Sequence, residues 1–246
     1  YFSELKTVII DELHSFSTNK RGDFTSLALA RLKSLAPNHI RFGLSATIAD
    51  ADSAAKWLGP TGSPAKIIEV TGSAPPVLEI MTPETRYPLG GHNPRFAVKD
   101  IYAAIKTAKS AIIFVNTRAQ TELLFQELWK VNTDNLPIGL YHGSLSRERR
   151  QMTEASIASG HIRAVVSTSA LEMGIDWGDV DLILQVGAPK GVSRLLQRIG
   201  RSNHRMDEPS NAVLVPCNPL EAVECAVAIN AMRLGQRDVE DFTEGA

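Results

Sequence analysis

No Gly-Lys pair occurs anywhere in the 246 residues, so the chain lacks the Gly-rich loop ending in Gly-Lys-Ser/Thr whose backbone amides and lysine hold nucleotide phosphates. Cysteine is scarce. Cys217 and Cys225 are the only two and are not in Cys-x-x-Cys spacing, which excludes a disulfide framework and suits reduced core thiols in a cytoplasmic protein. Charge of one sign is also missing: the net value is −1, so polyanion binding must come from local clusters such as Arg147 to Arg150 or Arg194 to Arg205. Apolar runs are strand-sized, Ala111 to Val115 being representative, and none reads as a membrane span or a secretory leader.

What is present is an ordinary globular composition, 43% apolar and 22% charged, with length for one large or two ordinary domains. Short Val- and Ile-rich runs at Thr7–Ile10, Ile40–Leu44, Lys66–Val70, Ala111–Val115, Pro137–Tyr141, Ala164–Ser167, Leu182–Val186 and Ala212–Val215 alternate with stretches of helical spacing. That alternation predicts an α/β fold of parallel sheets with helical crossovers. The segment Thr71 to Pro94 is dense in Gly and Pro, with Pro75-Pro76, Tyr87-Pro88 and Gly90-Gly91, and reads as the boundary. The expected organisation is a first domain over 1–75, a linker over 76–94, a second domain over 95–237 and the start of a connection over 238–246. Only the second has strands enough for a complete open sheet, so 95–235 is expected to be soluble alone and 1–75 is not.

Polar residues follow these strands in a pattern. Asp11, Ser45, Asn116, His142, Thr168 and Gly187 each come directly after an apolar run, and ligands of open parallel sheets bind at the C-terminal ends of the strands. The six are expected to converge on one rim. Asp11 and Glu12 offer one carboxylate to hold a hydrated Mg²⁺ and a second to orient and deprotonate an attacking water. Adjacent residues on an extended strand point to opposite sides, so both can serve only if the chain turns there. Ser45-Ala46-Thr47 supplies hydroxyls for His14; as a lone tripeptide it reads equally well as a turn or helix cap. Gln197-Arg198-Ile199-Gly200-Arg201 is the most specific motif, with a spacing that lets a Gln and a guanidinium reach a γ-phosphate. Asn116-Thr117-Arg118, His142-Gly143-Ser144 and Thr168 offer donors at strand-to-helix turns that suit phosphodiester contacts, although each can be an ordinary cap, Ser146 most clearly.

Taken in order, these residues resemble the superfamily 2 DExH-box helicases. Asp11 to His14 resembles motif II, Ser45 to Thr47 motif III and Ile112 to Arg118 motif IV. His142 to Ser144 resembles motif IVa, Ser167 to Asp176 motif V, and Gln197 to Arg205 motif VI. Within the superfamily, Leu171-Glu172-Met173-Gly174-Ile175-Asp176, Gln197 to Arg201 and Lys20-Arg21-Gly22 are most similar to the large helicase-related (Lhr) group, and Ser202-Asn203-His204-Arg205 is similar to its bacterial ligase-associated DNA-damage-response branch. The resemblance implies two RecA-like lobes that clamp ATP and Mg²⁺ while a single strand crosses both. It makes Asp11 the Mg²⁺ ligand and Glu12 the activator of water, with His14, Ser45 and Thr47 coupling hydrolysis to motion. Gln197 and Arg201 would sense the γ-phosphate, and Arg205 would stand in for an arginine that the family often has where this chain carries His204. Gly174 and Asp176 would meet the nucleotide; Asn116, Thr117, Arg118, His142, Gly143, Ser144 and Thr168 would meet the strand.

The reading is therefore a fragment of an ATP-dependent motor on single-stranded or duplex nucleic acid, DNA before RNA, acting in repair beside a ligase or nuclease and moving 3′ to 5′ by resemblance. Its opening on Tyr1 and the missing phosphate loop place the P-loop segment upstream and further domains downstream, and alone the piece should be inactive. The rival reading is a non-catalytic nucleic-acid-binding or regulatory module, which has no need of adjacent Asp11 and Glu12.

Overall fold

The computed structural model describes residues 2–16, 19–45, 48–60, 63–69, 74–172, 180–202 and 209–238. The chain divides into two units, one of 1–71 with 236–246 and one of 72–235. Among the described residues no helix is long and apolar enough to cross a membrane.

In the first unit β1 (Thr7–Ile10) pairs in parallel with β2 (Ile40–Gly43), Ile10 lying opposite Gly43. Two helices, α1 (Lys20–Leu35) and α2 (Ala51–Leu58), supply the core, where Ile10, Leu13, Leu29, Trp57 and Leu58 pack together and the Phe16 and Trp57 rings stack. Asn19 caps α1 by accepting the Gly22 N–H, and Asp50 caps α2 by accepting that of Ser53. Gly22 is needed for close approach: a Cβ there would lie 1.8 Å from the Phe16 carbonyl oxygen. Arg41 ties the layers together, donating to the carbonyls of Leu29 (2.8 Å) and Leu58 (3.3 Å) and to Nε2 of His39 (3.0 Å). The opposite face of the pair is bare and apolar, with Ile9, Ile40, Phe42 and Leu44 all more than half exposed.

The second unit is a six-stranded, wholly parallel sheet in the order β3-β8-β7-β4-β6-β5. Its strands are β3 (Val77–Ile80), β4 (Ala111–Phe114), β5 (Ile138–Tyr141), β6 (Ala164–Ser167), β7 (Leu182–Val186) and β8 (Asn211–Val215). One face packs on α3 (Val98–Thr107) and α4 (Arg118–Val131) through Ile101, Ile105, Leu124, Leu128, Ile113 and Val115. The other packs on α5 (Arg147–Ala158), α6 (Val192–Ile199) and α7 (Pro219–Arg233) through Ile157, Leu195, Ile199, Cys225, Ile112 and Phe114. Alternate residues of β4 thus feed opposite cores, which is why the run Ala111 to Val115 is continuously apolar. β6 and β7 flank β4 on either side, so the strand order reverses between β4 and β7.

Three sequence expectations change. Residues 66–69 form no strand, Ile68 being largely exposed: local β propensity produces a strand only where a partner exists, and among the described residues β1 and β2 pair only with each other. The stretch 76–94, read as a linker, contains β3. Pro75 and Pro76 lie directly before the strand, which sits at the sheet edge and is bonded on one side only, by β8. Finally, the six polar positions fall on two sheets, with Asp11 and Ser45 on one and Asn116, His142, Thr168 and Gly187 on the other, so they do not share a single rim.

Because β3 belongs to the second sheet, a piece beginning at residue 95 bares the β8 ladder. We expect 72–235 to be monomeric and 95–235 to melt about 5 °C or more lower and to self-associate, since a lost edge ladder with two apolar side chains is worth about 2 kcal/mol. Thermal unfolding and size-exclusion chromatography of the two pieces check this.

Candidate functional site

At the end of β1 the backbone reverses through Glu12, whose φ is +51°, one of two non-glycine residues among those described in the left-handed region. The turn is fastened on both sides. The Glu12 N–H donates to Asp11 Oδ1 (2.9 Å) and the Leu13 N–H to the Leu44 carbonyl (2.9 Å), and a 3-10 turn over Leu13–Phe16 follows. This places Asp11, Glu12 and His14 at one end of the β1–β2 pair with Ser45. His14 Nδ1 lies 2.9 Å from Ser45 Oγ and 3.5 Å from Glu12 Oε2. Burial pulls the His14 pKa below its ordinary 6.5, against the opposing pull of Glu12 and Asp11. The imidazole is therefore neutral at neutral pH.

Asp11 is exposed, and no group of three metal-binding side chains occurs among the described residues. An exposed carboxylate of this kind fits a hydrated Mg²⁺, an ion that takes one or two carboxylates and keeps several waters.

In the second unit Asn116 and Thr117 lie between β4 and α4, and Arg118 opens α4. Thr117 and Gln120 form a capping box, so the Thr117 hydroxyl is engaged in starting the helix. Arg118 leaves the first turn and donates through Nη1 to Ser144 Oγ, which joins two of the residues read as strand contacts. His142 works inside the protein: it is buried, its Nδ1 accepts the Ser144 N–H (3.3 Å), and the ring therefore carries its proton on Nε2, which donates to Glu122 (3.1 Å). Gly143 and Ser144 are exposed beside it. Thr168 follows β6 on the same rim and opens a short 3-10 turn over Ser169–Leu171. Ser146 caps α5 by accepting the Arg149 N–H.

The two motif arginines on and just after α6 separate sharply. Arg198 is 2% exposed. Its Nε and Nη2 lie 2.7 and 2.5 Å from Glu172 Oε1, its Nη1 donates to Gln185 Oε1, and its guanidinium carbon sits 4.9 Å from the Phe114 ring centre. Burial lowers the Arg198 pKa while Glu172 pushes it back up. Arg201, directly after the Gly200 cap of α6, donates through Nη2 to the backbone carbonyl of Glu172 (2.6 Å) and is only partly buried. Gln197 sits on α6, partly buried, in the turn before Arg201. Sequence reasoning missed Glu172 and Gln185 as partners; the available signal was Gln185 itself, an amide inside the apolar strand Leu182–Val186. Thr47, Gly174, Asp176 and Arg205, read as functional from the sequence, lie outside the described residues.

The model of the helicase conserved C-terminal domain matches residues 96–206. The ATP-dependent helicase Lhr-Core of Methanocaldococcus jannaschii is 37% identical over 241 residues, covering 96% of this chain and 28% of the relative. The Lhr helicase/probable uracil glycosylase of Mycolicibacterium smegmatis is 32% identical, covering 97% of this chain and 18% of its own length. Among solved structures, the Mycobacterium smegmatis helicase Lhr bound to ssDNA and AMP-PNP superimposes with a TM-score of 0.85 at 32% identity, covering 98% of this chain and 32% of that one. Together with the parallel sheets and their crossovers, these findings place the chain among the superfamily 2 helicases, with a RecA-like second unit. Within that superfamily it belongs to the large helicase-related, or Lhr, group. The chain spans less than a third of the length of these relatives.

Two expectations follow from the geometry. Replacing Glu172 by Ala strands a buried guanidinium and should cost about 3–5 kcal/mol, most of which the double change Glu172→Ala/Arg198→Met should restore; urea unfolding of the two variants measures it. His14 has a folded pKa below its unfolded one, so its contribution to stability is complete above pH 6.5 and is lost as pH falls through the folded value. Between about pH 7.5 and 5.5 the wild type should therefore lose more stability than His14→Gln, as thermal melts will show.

Proposed function

We propose that this chain is part of an ATP-dependent motor that moves on single-stranded nucleic acid, DNA before RNA, and separates or remodels duplexes. The observation that carries this reading is the left-handed turn at Glu12. A binding module gains nothing from holding a glutamate in a costly backbone conformation, whereas hydrolysis needs two neighbouring carboxylates with different tasks. Asp11 would hold Mg²⁺, which when bound neutralises charge on the phosphate oxygens.

Glu12 orients the attacking water and accepts its proton as the new O–P bond forms and the bond from the γ-phosphorus to the ADP oxygen breaks. Neutral His14, held by Ser45 and facing Glu12, is the route by which the state of that carboxylate reaches β2. Arg201 supplies a guanidinium to the charge of the transferring phosphoryl group, with Gln197 as a second donor. Arg118, Ser144, Gly143 and Thr168 contact the strand through its phosphates, a recognition with little base preference. Thr47, Gly174, Asp176 and Arg205 keep the roles their motif positions imply. The capture of M. smegmatis Lhr with both ssDNA and AMP-PNP supports this assignment of ligands. A narrower setting in DNA repair, beside a ligase or nuclease, is carried by the likeness of Ser202-Asn203-His204-Arg205 alone.

The test is ATP turnover by the full-length protein with and without single-stranded DNA, beside Glu12→Gln. Strand-stimulated turnover that the variant lowers by about 10²-fold or more is expected of a general base. Turnover indifferent to Glu12, or the absence of stimulation by any strand, would overturn the reading. The 246-residue chain, lacking a phosphate loop, should give no turnover of its own.

A further inference from the structure

A second polar junction stands on the rim of the large sheet, away from the arginines of α6. Glu221 is in the first turn of α7 and is 6% exposed. Its Oε2 accepts the Cys217 N–H (2.8 Å), and its Oε1 accepts a hydrogen bond from Nδ1 of His92 (2.5 Å), a side chain 73% exposed and 129 residues away in sequence. Two further bonds tie the same loop down, and a third links one of its partners to the start of α4. Asn218 Nδ2 donates to the Gly91 carbonyl (2.9 Å), Gln120 Nε2 donates to the His92 carbonyl (2.8 Å), and Gln120 Oε1 accepts the Thr117 N–H (3.1 Å). The loop at Gly91–His92 is therefore a strap between the first turns of α7 and α4. It crosses the reversal point of the strand order: a Cβ on Gly187, at the end of β7, would lie 3.0 Å from Asn116 Nδ2 and 3.7 Å from Glu221 Oε2.

We infer that His92 and Glu221 are positioning residues for strand binding: through Gln120 and Thr117 they set the direction in which Arg118 leaves α4. The inference rests on the proposed reading of this rim as a strand-binding edge. Physically, the capping box fixes only the local start of α4, and Gln120 has its amide nitrogen left over to bond the strap. The strap is in turn anchored by a carboxylate with its own backbone partner, so the angle of the first turn of α4 is referred to α7. A buried carboxylate is a stiff reference point because moving it away from its donors leaves a charge without partners. The Asn116 Nδ2 bond to the Ala188 carbonyl (3.0 Å) fastens the neighbouring loop in the same way.

The experiment uses full-length protein and a fluorescent oligo-dT strand, comparing the wild type with His92→Ala, His92→Gln and Arg118→Ala. His92 is exposed, so the fold should tolerate its loss. We expect His92→Ala to weaken strand binding about five- to tenfold, the lower part of the range for coupling between separate sites. Its thermal midpoint and its KM for ATP without the strand should be unchanged. His92→Gln, which restores an N–H donor to Glu221, should recover most of the affinity. If Arg118→Ala weakens binding while His92→Ala does not, the strap is packing only and this inference fails alone. If Arg118→Ala also leaves binding intact, the strand-binding reading of the rim fails and takes the inference with it. A His92→Ala effect that His92→Gln does not recover likewise overturns the link through Glu221.

Discussion

The pairing of Arg198 with Glu172 is the constraint around which the second unit is arranged. A guanidinium and a carboxylate taken out of water carry a desolvation cost that only close mutual contact and full hydrogen bonding offset. Here the offset draws on four places at once: Glu172 beyond β6, Gln185 in β7, the ring of Phe114 in β4, and α6 itself. Apolar packing would let a helix as short as α6, eight residues, rotate or slide among nearly equivalent positions. The polar contacts select one. Arg201 hangs from the same short helix end and returns to the backbone of the same Glu172, so the arginine proposed for chemistry is held by the residue that neutralises the structural one.

The first unit solves a related problem with different means. Arg41 is partly buried, and its described bonds go to two carbonyls and an imidazole nitrogen rather than to a carboxylate. A weakly hydrated, delocalised cation tolerates neutral acceptors better than an ammonium does. The His39 ring donates through Nδ1 to the Ala36 carbonyl (2.6 Å), which leaves Nε2 able to accept from Arg41. In both units an arginine bonds across the gaps between layers that side-chain packing alone leaves adjustable.

What could be read from the sequence follows the distance over which each signal is generated. The strands β4 to β8 were legible because a strand covered on both faces is apolar at most positions, and that is a local property. β3 was hidden by the prolines beside it, and 66–69 was overread because propensity says nothing about whether a partner strand is present. Asp11 and Glu12 were legible as a motif, and so was the requirement for a turn. That Glu12 itself adopts the left-handed conformation was not, since glutamate gives no hint of it. Glu172 and Arg198 both lie in recognisable motifs 26 residues apart, yet their pairing is a tertiary fact. His92 and Glu221 left no trace at all, because an exposed histidine in a glycine-rich loop and a glutamate in a first helical turn are each ordinary.

Cys217 and Cys225 lie in the two cores on opposite faces of the large sheet, and burial, with Glu221 nearby, pushes both thiols up to about 12. At neutral pH almost none of either sulfur is thiolate, the form that reacts with alkylating reagents. This segment is therefore chemically silent toward maleimide dyes and spin labels as it stands. A single cysteine introduced on an exposed helix face would take a reporter without removal of the native pair, which opens the motions of either unit to fluorescence and magnetic-resonance distance measurements on an otherwise unaltered sequence.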